Sequence, residues 1–192
     1  MSTNNMITDV QTLRLRARKH VDEGAVTAGY SADRSVVVNL LNEALATELV
    51  CVMRYRRHHF MARGIHSKSV ADEFLIHANQ ELEHADMIAE RIVQLGGAPD
   101  FDPSGLRARS HAEYVEGSTL ENMIKENLVA ERIAIDSYRD MINYVADKDP
   151  TTRRMLESIL AVEEEHADEM ADLWAILPNE QKQESLSSAI AS

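Results

Sequence analysis

The same pair of residue types occurs twice in the chain at the same short spacing. Glu81 and His84 are three positions apart, and Glu163 and His166 repeat that spacing in the second half. On a helix, residues at this spacing lie on one face, so each pair places a carboxylate beside an imidazole. One such pair is usually a solvated surface feature. Two copies suggest a pair of faces that meet, and carboxylates that meet imidazoles are typical ligands of metal ions.

A glutamate upstream of each pair lengthens the repeat. Glu48 lies 33 positions before the glutamate of the first pair, and Glu131 lies 32 positions before that of the second. Seven positions after each leading glutamate comes a tyrosine, Tyr55 in the first half and Tyr138 in the second. Each half therefore follows one pattern: a glutamate, two helical turns, a tyrosine, and then Glu-x-x-His.

Composition and periodicity predict the helices that position these residues. Glycine (7) and proline (4) are scarce among 192 residues, which favours an all-α chain. The 3.6-residue period predicts four long helices, at about 31–63, 67–95, 118–148 and 149–177. The first two and the last two are joined by short turns and must form antiparallel hairpins. The segment 97–117 is long enough to run the length of a helix, so the prediction is a four-helix bundle with one long crossover between helices two and three, the ferritin-like topology.

Two of these helices begin with specific start signals. Ser118 followed by Glu121 resembles a capping box for the third helix. Asp149 and Pro150 supply an N-cap and a first-turn proline for the fourth.

The repeated residues fall at one height in this bundle. Counted from the turns and the crossover, their levels agree to within about one helical turn. The set is Glu48, Glu81, His84, Glu131, Glu163 and His166. Clustered without partners in a core, these groups would be strongly destabilising, and two divalent cations would remove that cost. The oxygen-rich set with two imidazoles favours iron or manganese over zinc or copper.

Two interpretations without metal stay open at this point. The pairs could be accidental and face solvent, but that leaves the common spacing, heights and paired tyrosines unexplained. Alternatively, the six groups could form a buried carboxylate–imidazole network, in which the pKa of several carboxylates would be raised.

The remaining chain divides into an arm, the bundle and a tail. Residues 1–30 are predicted to hold a short basic helix, residues 31–178 the bundle, and residues 179–192 a flexible tail. The arm either caps the bundle or binds nucleic acid, although a net charge of −12 disfavours nucleic acid in general. No apolar run suggests a membrane span and no secretory signal is evident, so a cytoplasmic protein without a membrane partner is expected.

Residues 36–177 resemble the bacterioferritin and Dps-like branch of the ferritin superfamily. The segments that carry the resemblance are 42–50 with Tyr55, 84–86 with 90–92, 119–122, 130–132 and 148–150.

The resemblance implies a ferroxidase that stores iron. Two iron ions per subunit, or alternatively manganese, would bind at the repeated residues. Fe(II) would be oxidised to Fe(III) by O2 or H2O2, and a homo-oligomeric cage would hold the product. In this family pattern Glu48 and Glu131 are terminal ligands, Glu81 and Glu163 bridge the ions, and His84 and His166 each bind one. Tyr55 and Tyr138 would hydrogen-bond to the ligands.

Departures from the family pattern refine these expectations. Bacterioferritins bind haem through a methionine directly after the glutamate of the second helix, where this chain has Leu82, so no haem is expected. The tail lacks a convincing fifth helix, which favours a cage of 12 subunits over one of 24.

Two other functions remain as alternatives. One is a Dps-like stress protein that protects DNA by binding it through the basic segment 14–20. The other is a di-iron or di-manganese oxygenase or catalase that does not store iron. His77, one turn before Glu81, is either a further metal ligand or a packed polar residue. His58, His59, His66 and His111 are expected at the surface or at an interface.

Overall fold

The computed structural model describes residues 8–64 and 67–177, and within these ranges it contains helices and no strands. The predicted all-α class is therefore confirmed. In chain order the helices are α1 (Val10–Arg16), α2 (Arg34–Met61), α3 (Ser67–Gln94), α4 (Leu106–Arg109), α5 (Leu120–Val145) and α6 (Pro150–Ile176), with a 3₁₀ turn at Val21–Glu23.

The four long helices α2, α3, α5 and α6 form the ferritin-like bundle. The turn after α2 packs α3 against it, and residues 146–149 return α6 onto α5, so each pair is an antiparallel hairpin. The crossover spans residues 95–119 and contains α4. Leu106 of α4 is buried against Ala46 and Val50, which fixes the crossover to the side of α2.

Two apolar layers fill the bundle core, and a layer of polar side chains separates them at mid-height. One layer includes Leu45 of α2 and Ile88 of α3, and the other includes Cys51 and Ala78 of the same two helices. On every long helix, the residues that separate the two layers are the predicted ligands. The candidate site is therefore a polar layer closed above and below by hydrophobic side chains, which exclude bulk water from it.

A buried ion pair locks the second hairpin to α3. Asp149 is the N-cap of α6, as predicted, and its side chain accepts a hydrogen bond from the backbone nitrogen of Thr152. The Arg91 guanidinium also donates to both Asp149 oxygens, at 2.9 and 3.0 Å. Tyr30 donates its hydroxyl to the same carboxylate at 2.9 Å, so the segment before α2 joins this contact.

One predicted helix start is displaced by a residue. The N-cap of α5 is Thr119, whose hydroxyl accepts from the backbone nitrogen of Asn122. Ser118 instead donates to the Asn122 side chain at 2.7 Å. The prediction of Ser118 as the cap was wrong because the cap's oxygen must reach a nitrogen two or three positions further on, and Thr119 does so.

The predicted arm and tail are only partly described. Within residues 8–30 the basic helix is limited to Val10–Arg16, and it has no buried residue. Residues 1–7 of the arm and the tail 179–192 lie outside the described ranges.

The α2 helix qualifies the expectation that no segment could span a membrane. By length and composition alone α2 is apolar enough to cross one, with a mean hydropathy of 1.6 in its most apolar window. Of that window, 56% is buried inside the bundle, and a core helix of this length has the same composition.

Candidate metal centre

The structure brings the six repeated residues together at the centre of the bundle. Each has at most 5% of its surface exposed. One glutamate comes from α2, one from α5, and a Glu-x-x-His pair from each of α3 and α6. The residues are Glu48, Glu81, His84, Glu131, Glu163 and His166. A pseudo-two-fold arrangement of the two hairpins therefore places all six at one level.

Their potential ligand atoms form two overlapping groups. Within each group, one ligand atom from every residue lies within 4.8 Å of the others. Glu81 and Glu163 belong to both groups. Glu48 and His84 complete the first group, and Glu131 and His166 complete the second. Two adjacent ions that share the carboxylates of Glu81 and Glu163 fit this arrangement.

The imidazole of His84 points into the carboxylates. Its Nδ1 lies 2.9 Å from an oxygen of Glu163, 3.3 Å from Glu81 and 3.5 Å from Glu48. None of these contacts has hydrogen-bonding geometry, since the same Nδ1 atom has no hydrogen-bond partner. The nitrogen is thus near three carboxylates but bonded to none.

Side-chain atoms without hydrogen-bond partners are concentrated at this centre. Among the described residues, eleven buried nitrogen and oxygen atoms have no partner, and seven of them belong to the six candidate ligands. They are five carboxylate oxygens and the Nδ1 atoms of both histidines. A buried polar group without a partner costs about 1–3 kcal/mol, and more when charged. Cations between these atoms would satisfy all seven, so the residues fit a metal-loaded centre.

Two tyrosines donate hydrogen bonds to ligands of the centre, each from one hairpin to the other. The Tyr55 hydroxyl, on α2, donates a hydrogen bond to Glu131 on α5. The Tyr138 hydroxyl, on α5, donates to Glu48 on α2. Each tyrosine therefore holds the leading glutamate of the opposite hairpin and leaves its second oxygen facing the centre.

Gln80 orients one of the histidines. Its side-chain oxygen lies 3.0 Å from Nε2 of His166, which places the imidazole proton on Nε2. The lone pair of Nδ1 then faces the centre, as in a metal-binding histidine whose other nitrogen donates to a neighbour. Sequence reasoning missed Gln80 because an amide next to a ligand carries no spacing pattern.

Burial and crowding displace the pKa values of these groups. Burial, and then the charge of Glu81, raise the pKa of Glu48 to about 8. Burial alone would lower the pKa of His84, but the carboxylates of Glu163, Glu48 and Glu81 raise it to about 12. The metal-free centre therefore holds protons at neutral pH, and a cation that binds there must displace them.

His77 lies directly beside the centre. It is fully buried, and its ring stacks on that of His166 with 3.9 Å between the ring centroids. Its Nδ1 lies 3.2 Å from the Tyr55 hydroxyl, and its Nε2 lies 2.7 Å from Glu169. Burial, and then the neighbouring His166, lower the pKa of His77 to about 4, which leaves the imidazole neutral at pH 7.

The expectation that His58 lies at the surface was wrong. His58 is completely buried, with Nδ1 3.1 Å from the Asn127 side chain and Nε2 3.1 Å from the Val115 carbonyl oxygen. The crossover covers it, and that contact could not be read from α2 alone. His59 is half-buried and its Nδ1 lies 2.7 Å from the Ala71 carbonyl oxygen, whereas His111 is exposed and its Nδ1 lies 2.7 Å from the Ser137 hydroxyl. His66 lies outside the described residues.

Known proteins share this fold and part of this sequence. A family model described as a ferritin-like domain matches residues 38–178. A bacterioferritin of Mycobacterium leprae (strain TN) is 31% identical over 143 residues, which cover 73% of this chain and 85% of the relative. A DNA protection during starvation protein of Pyrococcus furiosus is 29% identical over 137 residues, covering 70% and 74%. Among solved structures, the bacterioferritin-related protein of Bacteroides fragilis, a dodecameric thioferritin, is 31% identical with a TM-score of 0.71, covering 73% and 85%.

Proposed function

Because the chain belongs to the ferritin-like domain family, we propose that it is a ferroxidase that oxidises Fe(II) and stores the ferric product. The observation that carries this proposal is the set of seven buried, partnerless ligand atoms in two overlapping groups. We call the site that these groups would form the dinuclear centre. Without cations, burying these carboxylates and imidazoles would destabilise the folded bundle.

Each ligand has a role in the proposed centre. Glu81 and Glu163 bridge the two ions, because each contributes to both groups of ligand atoms. The terminal carboxylates are Glu48 and Glu131, which the tyrosines hold from the far side. The Nδ1 atoms of His84 and His166 supply one nitrogen to each ion. In this proposal the iron is the substrate, and manganese would use the same ligands.

The chain's own groups prepare the oxidation rather than perform it. Two Fe(II) ions give up one electron each, and the two electrons with two protons convert O2 to H2O2, or H2O2 to two water molecules. The bridging carboxylates keep the two ions adjacent, so that both electrons reach one oxidant. Glu48 releases its proton when an ion binds, because the carboxylate must be deprotonated to act as a ligand.

The reaction as proposed needs no haem. Leu82 follows Glu81 on α3, and its exposed side chain has no atom that binds iron. We further propose a homo-oligomeric cage of 12 rather than 24 subunits in the cytoplasm. The dodecameric relative from Bacteroides fragilis supports the smaller number.

Aerobic loading with Fe(II) tests storage and assembly together. The loaded protein should elute from a sizing column at about 260 kDa, the mass of twelve chains of 21.6 kDa. It should also carry tens of iron atoms per chain, because a cage retains ferric product beyond its binding sites. Elution mass and iron content of the same fractions are the measurements. A small assembly with only two or three iron atoms per chain would contradict storage and favour an oxygenase or catalase.

DNA binding through α1 is the second candidate function. In its favour, α1 has no buried residue and carries Arg14 and Arg16 in its last turn. If α1 binds DNA, electrophoretic mobility should shift at low salt, and the shift should weaken as salt is added. Arg14→Glu with Arg16→Glu should abolish it, whereas Arg63→Glu with Arg107→Glu, an equal charge change at exposed sites, should not. No shift of the wild-type protein at low salt would rule this function out.

A further inference from the structure

A second cluster of ligand-type side chains lies beside the dinuclear centre and shares none of its six ligands. Glu73 and His77 are one helical turn apart on α3, and Glu169 faces them from α6. The Nε2 atom of His77 lies 2.7 Å from an oxygen of Glu169 and 3.5 Å from an oxygen of Glu73. Neither carboxylate forms an ion pair with a lysine or arginine in the described ranges.

The spacing of these atoms suits a metal ion. The three ligand atoms all lie within 4.8 Å of one another. An ion bound at about 2.1 Å to each would hold them roughly 3–4 Å apart, so small rotations of the carboxylates complete the site. Glu73 and Glu169 can rotate because 32% and 43% of their side chains are exposed. One imidazole and two carboxylates suit Fe(II), Mn(II) or Zn(II), with water in the open positions.

The hydrogen bonds of His77 orient it as a ligand. The Tyr55 hydroxyl gives its only proton to Glu131, so its oxygen accepts from Nδ1 of His77. The lone pair of Nε2 then faces the oxygens of Glu73 and Glu169. A metal-binding histidine has this arrangement, with one nitrogen donating to a fixed neighbour and the other directed at the ion.

We propose that Glu73, His77 and Glu169 form a third site, for a single divalent transition-metal ion, between solvent and the dinuclear centre. Its outer side is formed by the two part-exposed carboxylates, and its inner side by the buried His77. A ring nitrogen of His77 also lies within 4.8 Å of ligand atoms of Glu131 and His166, which belong to the second group of the dinuclear centre. An ion bound at this third site would therefore lie next to the dinuclear centre. That this ion is Fe(II) on its way to oxidation rests on the proposed function, whereas the site itself does not.

Counting bound Zn(II) tests the site without any oxidation. Zn(II) keeps one oxidation state, so equilibrium dialysis followed by metal analysis counts sites directly. The wild-type chain should bind three ions, and Glu73→Gln with Glu169→Gln should bind two. The converse variant, Glu81→Gln with Glu163→Gln, should lose the dinuclear pair and keep one ion. This pattern separates failure of the third site from failure of the dinuclear centre.

The chain offers a matched control for this count. Asp72→Asn with Asp172→Asn removes the same two charges from exposed positions of α3 and α6, and it should leave three ions bound. Equal zinc counts for wild type and Glu73→Gln/Glu169→Gln would overturn the proposal, as would a loss in the control. Crystals of the zinc-loaded protein give an independent check. Anomalous density about 2.1 Å from Nε2 of His77 is expected, and its absence would also overturn the site.

Discussion

Replacing Glu81 by Gln should slow Fe(II) oxidation by about 100-fold or more. Glu81 belongs to both groups of ligand atoms, and both its oxygens are buried without hydrogen-bond partners. The amide keeps the volume but removes the charge that attracts both ions, so a single substitution disables both positions. Stopped-flow measurement of the near-ultraviolet absorbance of the ferric product gives the rate.

Glu83 provides the matched control for this result. It lies two positions along α3, it is exposed, and Glu83→Gln makes the same chemical change without touching the centre. The control should oxidise Fe(II) at the wild-type rate, and the helical circular dichroism of both variants should match that of the wild type. A wild-type rate in Glu81→Gln would refute the proposed function, because Glu163 alone would then be left to join the two groups of ligand atoms.

The start of a helix can be predicted from sequence where it depends on the conformational preferences of the residues at that position. Asp149 and Pro150 start α6 as expected, since a carboxylate cap and a proline are favourable only at a helix start. The start of α5 was assigned to Ser118 instead of Thr119, because Glu121 stands at the capping-box spacing from Ser118, whereas Asn122 stands at that spacing from Thr119. Only the backbone geometry decides which one reaches the free amide.

The six candidate ligands could be located because they repeat. Spacing within a helix fixed which residues share a face, and helix length fixed their height. The repeat also marked Tyr55 and Tyr138, but it could not tell that each reaches the glutamate of the other hairpin. That choice depends on how the two hairpins are packed against each other, which no local pattern encodes.

Residues outside the repeat could not be found in this way. Gln80 and Glu169 lie near ligands in sequence, but only the packing of α3 on α6 shows what they contact. His58 was misplaced for a similar reason, because the crossover that buries it comes from another part of the chain. Side chains that meet through tertiary packing alone leave no periodic trace in a single sequence.

Zn(II) bound at the dinuclear centre should raise the thermal midpoint of the metal-free protein by about 10–20 °C at pH 8.5, in addition to the contribution of the third site. Each ion at a hundredfold excess over its dissociation constant stabilises the folded chain by about 2.7 kcal/mol, so the dinuclear centre gains about 5 kcal/mol. In a chain of this size, each kcal/mol raises the midpoint by about 2–4 °C. Differential scanning calorimetry with and without zinc measures the shift. Glu81→Gln with Glu163→Gln should keep only the part contributed by the third site.

The rise in thermal midpoint that zinc causes should be smaller at pH 6 than at pH 8.5, because Glu48 holds a proton at the lower pH. Its folded pKa of about 8 lies above the usual value near 4.5, so its proton stabilises the metal-free fold fully below pH 4.5. That contribution is lost as the pH rises through 8. At pH 6 zinc must displace this proton, which costs about 1.4 kcal/mol for each pH unit below the pKa. The Glu48 proton alone should therefore make the midpoint shift about 5–11 °C smaller at pH 6 than at pH 8.5, and displacement of the His84 proton increases this difference. Equal shifts at the two pH values would show that neither Glu48 nor His84 gives up a proton when metal binds, and would contradict their roles as ligands.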